Sequence, residues 1–327
     1  MERVFRANPK QLEAFQYLND KETTELGYGG AGHGGKSWLE CFYLASMCET
    51  YPGTGWLLGR KELLNLRRTT LITFYKVCQE YKWIPEKHFK LNQQTNIVDW
   101  WNGSQIFLFD LAYQPSDPLF TRLGGLELTG AAVDEANEVP LLAIDILKTR
   151  IGRRKNAEYG LTPKLIEGFN PDKGHVYLRY YKPWKDGILP KHRKFVRALP
   201  TDNPYTTEDY LNQLRNADKI TRERLLFGNF EYDDDPTALI GYEAVTDLFT
   251  NTVDESSDRF MIVDVARLGV DKTVVYLFKG YKLYKVYIWQ KQTTDRTEER
   301  LKDITRTEQI PYSHICIDED GAFSGPT

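Results

Sequence analysis

The fold is decided by the stretch Gly30-Ala31-Gly32-His33-Gly34-Gly35-Lys36-Ser37, which fits the phosphate-loop pattern G-x-x-x-x-G-K-S/T without a mismatch. Residues 24–28 before it predict a short strand, and residues 38–45 after it predict a helix. Glycines let backbone N–H groups turn inward around a polyphosphate, and a helix N-terminus adds the positive end of its dipole. The stretch therefore predicts a nucleotide-binding α/β fold, with a flexible glycine-rich turn as the alternative.

Two side chains of the loop have separate expected roles. Lys36 would reach the β- and γ-phosphates, and the hydroxyl of Ser37 would hold Mg2+. The residues expected to bind the nucleotide in the loop are Gly30, Gly32, Gly34, Gly35, Lys36 and Ser37.

Gln11 lies on a predicted helix ahead of the loop, directly after Asn8-Pro9-Lys10. Its amide both donates and accepts, so it can read the edge of an adenine. For a glutamine alone, a solvated surface position is the alternative. With the phosphate loop that follows it, adenine recognition, and with it ATP, is as well supported as that alternative.

The length and composition are those of an ordinary globular protein. Its 327 residues leave room for two domains, and 41% are hydrophobic and 27% charged. No apolar run approaches the ~20 residues needed to cross a bilayer, and the N-terminus lacks a signal-peptide core, so no membrane association is expected. The four cysteines show no metal-finger spacing and predict reduced thiols inside a cell. A net charge of −3 leaves DNA binding to local patches.

Polar residues follow two further predicted strands. An apolar run over 126–133 ends in Asp134-Glu135, where Asp134 would bind Mg2+ through water and Glu135 would deprotonate the attacking water. Such pairs also cap helices, but a preceding phosphate loop favours the hydrolytic reading. The next strand, 163–169, ends at Asn170, which could contact the γ-phosphate or the water; a simple Asn-Pro turn is the alternative.

The C-terminal part predicts a second sheet. Residues 259–266, 273–278 and 282–289 predict three strands, and a helix over 297–307 leads to a fourth strand that ends near Asp318. Asp264 and Asp318 each follow an apolar strand and can meet in one sheet. Adjacent carboxylates repel unless a divalent cation neutralises them, which is how two-metal nucleases are built. Ordinary turn residues at strand ends are the alternative.

The order of these motifs resembles the large terminase subunits of tailed double-stranded DNA bacteriophages. The resemblance spans nearly the whole chain and includes Gly168-Phe169-Asn170-Pro171 and the run 226–232. It implies an α/β chain: a P-loop NTPase of the ASCE type with a mainly parallel sheet at 1–231, a linker at 232–257, and the N-terminal part of a ribonuclease H-like nuclease domain at 258–327. Because the chain stops at Thr327, the nuclease is expected to be incomplete, with weak or absent cleavage.

The resemblance also implies an activity and partners. Such proteins hydrolyse ATP to translocate double-stranded DNA into a procapsid through a portal protein, and they cut concatemeric DNA with a metal-dependent endonuclease. The implied partners are double-stranded DNA, the portal, a small terminase subunit and further copies in a homo-pentamer. The implied cofactors are ATP and Mg2+, with Mg2+ or Mn2+ at the nuclease site, and the implied location is the cytoplasm of the host cell.

By matching position, the resemblance assigns roles to individual residues. It makes Asp134 the metal ligand, Glu135 the catalytic base and Asn170 part of a coupling motif. Asp264 and Asp318 match the first two nuclease carboxylates, with Asp320 as a candidate substitute. The family uses an arginine finger, for which the candidates are Arg122 and Arg150. The loop carries no basic residue near its start, which argues against a finger inside it.

Two other function classes share some of these motifs. A helicase or other nucleic-acid translocase would have Gln11, the phosphate loop and the Asp134-Glu135 strand end, but it would need a second motor domain where the second sheet is predicted. A non-catalytic protein that binds ATP only to assemble a ring would not need Glu135.

Overall fold

The structure, a computed structural model, describes residues 7–231, 248, 251–253, 256–266, 272–290 and 293–318. The chain divides into two compact units, Met1–Tyr242 and Glu243–Thr327. Most of the expected linker at 232–257, and the candidate ligand Asp320, lie outside the described residues. Within the described residues, no helix is both long enough and apolar enough to span a bilayer.

The first unit is built from alternating strands and helices. Its strands are β1 (Glu25–Gly29), β2 (Gly55–Arg60), β3 (Phe89–Asn92), β4 (Ile97–Trp100), β5 (Gln105–Asp110), β6 (Gly130–Val133), β7 (Leu165–Phe169) and β8 (Arg193–Arg197). Its helices are α1 (Pro9–Asn19), α2 (Lys36–Thr50), α3 (Leu63–Arg68), α4 (Thr70–Glu80), α5 (Leu141–Lys148), α6 (Asn156–Tyr159), α7 (Lys182–Lys185), α8 (Glu208–Asn216) and α9 (Lys219–Leu225).

These strands form one sheet in the order β3-β4-β5-β2-β6-β7-β1-β8. The six strands from β5 to β8 in this order run parallel, and β4 is antiparallel to both β3 and β5. The hairpin of β4 and β5 turns at Asn102-Gly103 as the sequence predicts, with Gly103 at φ +84°. The mainly parallel sheet predicted from the motifs is therefore present.

Helices cover both faces of this sheet, so the residues of its central strands are buried on both sides. Every residue of β1, β6 and β7 is buried, which is typical of parallel strands between two helical layers. Successive residues of a strand point to opposite faces, so Leu57 and Leu58 of β2 belong to separate apolar clusters. Trp56 and Phe74 are among the largest side chains of one cluster, and Phe169 is among the largest of the other.

The second unit has a smaller, mixed sheet. Its elements are β9 (Arg259–Asp264), β10 (Lys272–Lys279), β11 (Lys282–Gln290), α10 (Thr294–Thr307) and β12 (Ile315–Ile317). The order is β11-β10-β9-β12; β10 is antiparallel to its two neighbours, and β12 is parallel to β9. Met261, Val263, Val275 and Leu277 pack with Ile304 of α10 in its core. The three strands and the helix predicted here agree with this arrangement.

Candidate active site

The phosphate loop joins β1 to α2 at the carboxyl edge of the sheet. Gly30 has φ +131° and Gly35 has φ +86°, both in the region that favours glycine. A Cβ at Gly35 would lie 2.7 Å from Nε2 of Gln11, so that residue has no room for a side chain. The backbone turn that the sequence pattern predicts is therefore formed.

Lys36 is buried below the loop and joins it to β7. Its Nζ donates to the carbonyl oxygen of Ala31 at 3.0 Å and to Oδ1 of Asn170 at 2.7 Å. Asn170 follows β7, and β7 lies next to β1 in the sheet. The carboxyl ends of parallel neighbours meet at one edge, which is why residues far apart in sequence come together here.

Asp134 follows β6 at the same edge and is 2% exposed. The hydroxyl of Ser37 donates to its Oδ1 at 3.2 Å, and the hydroxyl of Thr70 donates to its Oδ2. The guanidinium of Arg60 lies 3.9 Å from Oδ2. A hydroxyl and a carboxylate side by side are oxygen ligands of the kind that Mg2+ takes together with water, so the residues expected to hold this ion fit it.

Glu135 is held by the backbone and by Asn170. Its φ is +49°, and its own N–H donates to Oδ1 of Asp134 at 3.1 Å. Its Oε2 accepts from Nδ2 of Asn170 at 2.8 Å. Burial raises the pKa of the Glu135 carboxyl, and the charge of Lys36 opposes that rise. A raised pKa brings a carboxylate base closer to the working pH.

Gln11 is buried, and its amide binds to the backbone on both sides. Nε2 donates to the carbonyl oxygen of Gly35 at 3.1 Å, and Oε1 accepts from the N–H of Asn8 at 3.0 Å. The Asn8 side chain accepts in return from the N–H of Gln11 at 2.7 Å, which completes a capping box at the start of α1. Gln11 thus attaches α1 to the phosphate loop.

Several residues of the site were not found from the sequence, and three of them lie next to the predicted ones. Thr70 begins α4 and binds Asp134. His175 holds the turn after Glu135, because its Nε2 lies 2.9 Å from the carbonyl oxygens of both Ala136 and Val139 and donates to them. Glu40 is fully buried one helical turn after Lys36. Each depends on a contact between distant segments, for which the sequence carries no local signal.

The carboxyl of Glu40 is unusual among the buried groups of this site. Among the described residues, neither of its oxygens has a hydrogen-bond partner. A Cβ added to Gly168 of β7 would lie 2.1 Å from its Oε1, so the carboxyl packs directly on that strand. Burial raises the pKa of Glu40 well above its ordinary value, and the charge of Asp134 adds to the rise. Burial without a hydrogen-bond partner thus favours the protonated form of this carboxyl.

A cavity of about 1030 Å3 opens between these residues. Its lining includes the phosphate loop with Lys36, Ser37, Glu135 and Asn170. The other lining residues are Gln11, Trp38, Thr73, Glu80, Asn203, Tyr205, Tyr210 and Leu225. A lining that combines charged and amide groups with the rings of Trp38, Tyr205 and Tyr210 suits a nucleotide, which has charged phosphates and an aromatic base.

The two arginine-finger candidates lie outside this cavity. Arg122 donates to Asp117 at 2.9 Å and to the carbonyl oxygen of Ala112. Arg150 donates to the carbonyl oxygen of Gly124 at 2.9 Å. Both side chains therefore support loops of their own unit, and neither lines the cavity.

Asp264 and Asp318 lie at adjacent strand ends in the second unit. Ile317 of β12 pairs with Val263 of β9, and the N–H of Asp318 donates to the carbonyl oxygen of Val263 at 2.8 Å. Both aspartates are exposed. Across the described part of the chain, no group of three or more His, Cys, Asp or Glu side chains is placed to hold a metal ion.

No protein-family model matches the chain, and no curated protein matches it. Solved structures do. The large terminase of a thermophilic bacteriophage matches with a TM-score of 0.54 and 16% identity, over 97% of this chain and 79% of that one. The HK97 bacteriophage large terminase matches with a TM-score of 0.54 and 12% identity, over 96% of this chain and 70% of that one. The fold is that of the phage large terminases.

The predicted α/β terminase fold is thereby confirmed. One structure of the large terminase from the thermophilic bacteriophage is a complex with ADP and has a TM-score of 0.54 to this chain, at 16% identity, over 96% of this chain and 77% of that one. Against this shared fold, the phosphate loop, Asp134-Glu135 and Asn170 lie together at one edge of the first sheet.

Proposed function

We propose that this chain is an ATP-hydrolysing motor that translocates double-stranded DNA into a viral procapsid. The observation that carries the proposal is the continuous contact from Lys36 through Asn170 to Glu135. It places a phosphate-binding cation and a general base on either side of one amide. The large terminase of the thermophilic bacteriophage, with the same fold, has been solved with ADP and with ATP-gamma-S.

The nucleotide would bind with its phosphates along the loop. Lys36 would exchange its bond to Ala31 for phosphate oxygens, and the helix N-terminus at α2 would add its dipole. Ser37 and Asp134 would hold Mg2+, which supplies charge neutralisation on the phosphates. Oxygen ligands at the positions seen here support that assignment.

Hydrolysis needs a base that is close to the γ-phosphate and held in one orientation. Glu135 would take the proton of the attacking water, and Asn170 would hold its carboxylate while contacting the γ-phosphate or the water. Because Asn170 also binds Lys36, the presence of a γ-phosphate would change both contacts of its amide. This supports the coupling role expected from the motif order.

The remaining assignments belong to the same proposal. An arginine finger, Arg122 or Arg150, would act on the site of a neighbouring subunit in a homo-pentamer. Residues 1–231 would form the motor and 258–327 part of a ribonuclease H-like endonuclease, with 232–257 as the linker. Asp264 and Asp318, with Asp320 as a substitute, would bind Mg2+ or Mn2+ there. The partners would be DNA, the portal and the small terminase subunit, in the host cytoplasm.

The deciding experiment is ATP hydrolysis with and without double-stranded DNA, for the wild type and Glu135→Gln. The variant keeps the shape of the side chain and removes the base, so we expect kcat to fall by about 10²–10⁴-fold while ATP binding persists. Glu138→Gln is the matched control, because Glu138 is exposed on the same turn. If the wild type binds ATP and forms rings without Glu135-dependent turnover, the protein is an assembly factor. Strand separation would indicate a helicase.

A further inference from the structure

The nucleotide base needs a binding surface other than Gln11. We propose that Tyr205 stacks on the base of the bound nucleotide, and that Gln11 positions the phosphate loop. The inference rests on the proposed function, since it concerns the same site. Both residues line the cavity, but they contact the protein in different ways.

The amide of Gln11 faces the phosphate loop. Its Nε2 donates to Gly35, which has a backbone conformation that only glycine adopts readily, and its Oε1 accepts from Asn8. The side chain of Asn8 also donates to the carbonyl oxygen of Gly34, at 3.4 Å. One N–H of the Gln11 amide is therefore used to attach α1 to the loop, and its oxygen is used in the capping box of α1. Loss of Gln11 would disturb the phosphate end, whatever base the nucleotide carries.

Tyr205 is fixed relative to the same loop by Asn203. The amide Nδ2 of Asn203 donates to the carbonyl oxygen of His33 at 2.7 Å, and its Oδ1 accepts from the N–H of Tyr205 at 3.1 Å. One short side chain thus connects the turn that carries Tyr205 to the loop that would carry the phosphates. The distance between the base-binding ring and the phosphate site is set by this connection.

A second tyrosine on this segment contacts the loop itself. The ring of Tyr210 lies 4.1 Å from the ring of His33, and its hydroxyl is 2.9 Å from the place where a Cβ on Gly32 would lie. Tyr210 therefore packs on the loop. Tyr205 is 58% exposed and lines the cavity, so it is the tyrosine that presents aromatic surface to a ligand.

Stacking predicts a particular selectivity. Every base has a π-face, so an aromatic platform holds different bases with similar strength. Purines offer a larger face than pyrimidines. The site would therefore bind ATP and GTP with similar affinity and would bind pyrimidine nucleotides less tightly.

The test is the affinity of the full chain for ATP, GTP, UTP and inorganic tripolyphosphate, measured by titration calorimetry. Tripolyphosphate carries the phosphates without a base. We expect Tyr205→Ala to lower the affinity for ATP and for GTP by about tenfold to a hundredfold. Its affinity for tripolyphosphate should not change. Tyr205→Phe keeps the ring and should bind all of them as the wild type does. Gln11→Ala should lower the affinity for ATP, for GTP and for tripolyphosphate by the same factor.

Tyr113→Ala is the matched control, because Tyr113 is also 58% exposed and does not line the cavity. Thermal unfolding of each variant separates lost binding from lost folding. Unchanged ATP affinity in Tyr205→Ala would overturn the stacking role. If Gln11→Ala no longer binds ATP but still binds GTP and tripolyphosphate, then Gln11 recognises the adenine base. A wild type that binds neither nucleotide nor tripolyphosphate would contradict the proposed function itself.

Discussion

Asn170 donates its side-chain amide to the carboxylate of Glu135 at 2.8 Å. The oxygen of the same amide accepts from Lys36 at 2.7 Å. One uncharged group therefore separates the cation of the phosphate loop from the carboxylate after β6, and it contacts both. A change at Asn170 acts on both ends of the site.

We expect Asn170→Ala to lower kcat by about 10²-fold with a smaller change in KM, because the base loses its orientation. A hydrogen bond to the charged form lowers a carboxyl pKa, so its loss raises the pKa of Glu135 further. The acidic limb of the rate should move to higher pH, measured from about pH 5 to about pH 9. Asn137→Ala is the control, because Asn137 accepts only a 3.4 Å bond from the Asn170 backbone. If the acidic limb of Asn170→Ala lies at the same pH as that of the wild type, the proposed role of Asn170 in orienting Glu135 is contradicted.

Thr70→Val should weaken Mg·ATP binding and destabilise the fold. The valine has the same shape but leaves Oδ2 of the buried Asp134 without this donor, which costs about 1–3 kcal/mol. Chemical denaturation and nucleotide titration measure the two effects. Thr50→Val serves for comparison, because the Thr50 hydroxyl donates to the carbonyl oxygen of Ser46 at 2.8 Å on an exposed helix end. If Thr70→Val and Thr50→Val change the stability and the nucleotide affinity by equal amounts, the hydrogen bond from Thr70 does not support Asp134.

The buried carboxyl of Glu40 should make the free energy of unfolding depend on pH. Its pKa in the folded protein is raised above the ordinary value of 4.5, so the folded state keeps a proton that the unfolded state loses. The stabilisation is complete below about pH 4.5 and declines as the pH rises, with a slope of ~1.4 kcal/mol per pH unit. Glu40→Gln cannot ionise, so its unfolding free energy should fall less steeply. If the unfolding free energies of the wild type and of Glu40→Gln change with pH at the same slope, then Glu40 is ionised in the folded protein.

Gly168→Ala should destabilise the first unit by about 1–3 kcal/mol, because the new Cβ would overlap the Glu40 carboxyl. Glu40→Ala in the same chain should recover part of that loss, since the two side chains would no longer compete for the space. Gly125→Ala is the control, with nothing within 4 Å of the added atom. Additive losses in the double variant, measured by denaturant unfolding, would show that the overlap is relieved in another way.

In the second unit, Mn2+ should raise the melting temperature by several degrees if Asp264 and Asp318 bind it together, because a ligand that binds only the folded state stabilises it. Asp264→Asn and Asp318→Asn should each remove most of that increase. Asp303→Asn should keep it, because Asp303 is exposed on α10, where its Oδ1 lies 3.8 Å from a guanidinium nitrogen of Arg306. An increase that survives both of the first two variants would place the metal elsewhere.

The sequence predicted the parts of the site that follow parallel strands. Asp134 and Asn170 lie beside the phosphate loop, because each follows a strand of the parallel sheet and such strand ends meet at one edge. Glu40 was missed, because a glutamate inside a helix normally faces water, and only the contact with Gly168 shows that it is buried. Asn203 was missed for a related reason: it binds His33, a residue 170 positions away.

The place of β1 in the sheet has a consequence for synthesis of the chain. β1 lies between β7 and β8, so Glu25 is opposite both Leu165 and Arg193. On the ribosome, this strand has neither of its neighbours until the chain has grown past those positions, which takes on the order of ten seconds at ~5–20 residues per second. During that interval the phosphate loop is attached to an unpaired strand whose residues are all buried in the folded protein. The nascent chain should therefore bind nucleotide late, and a chain released before β8 should aggregate.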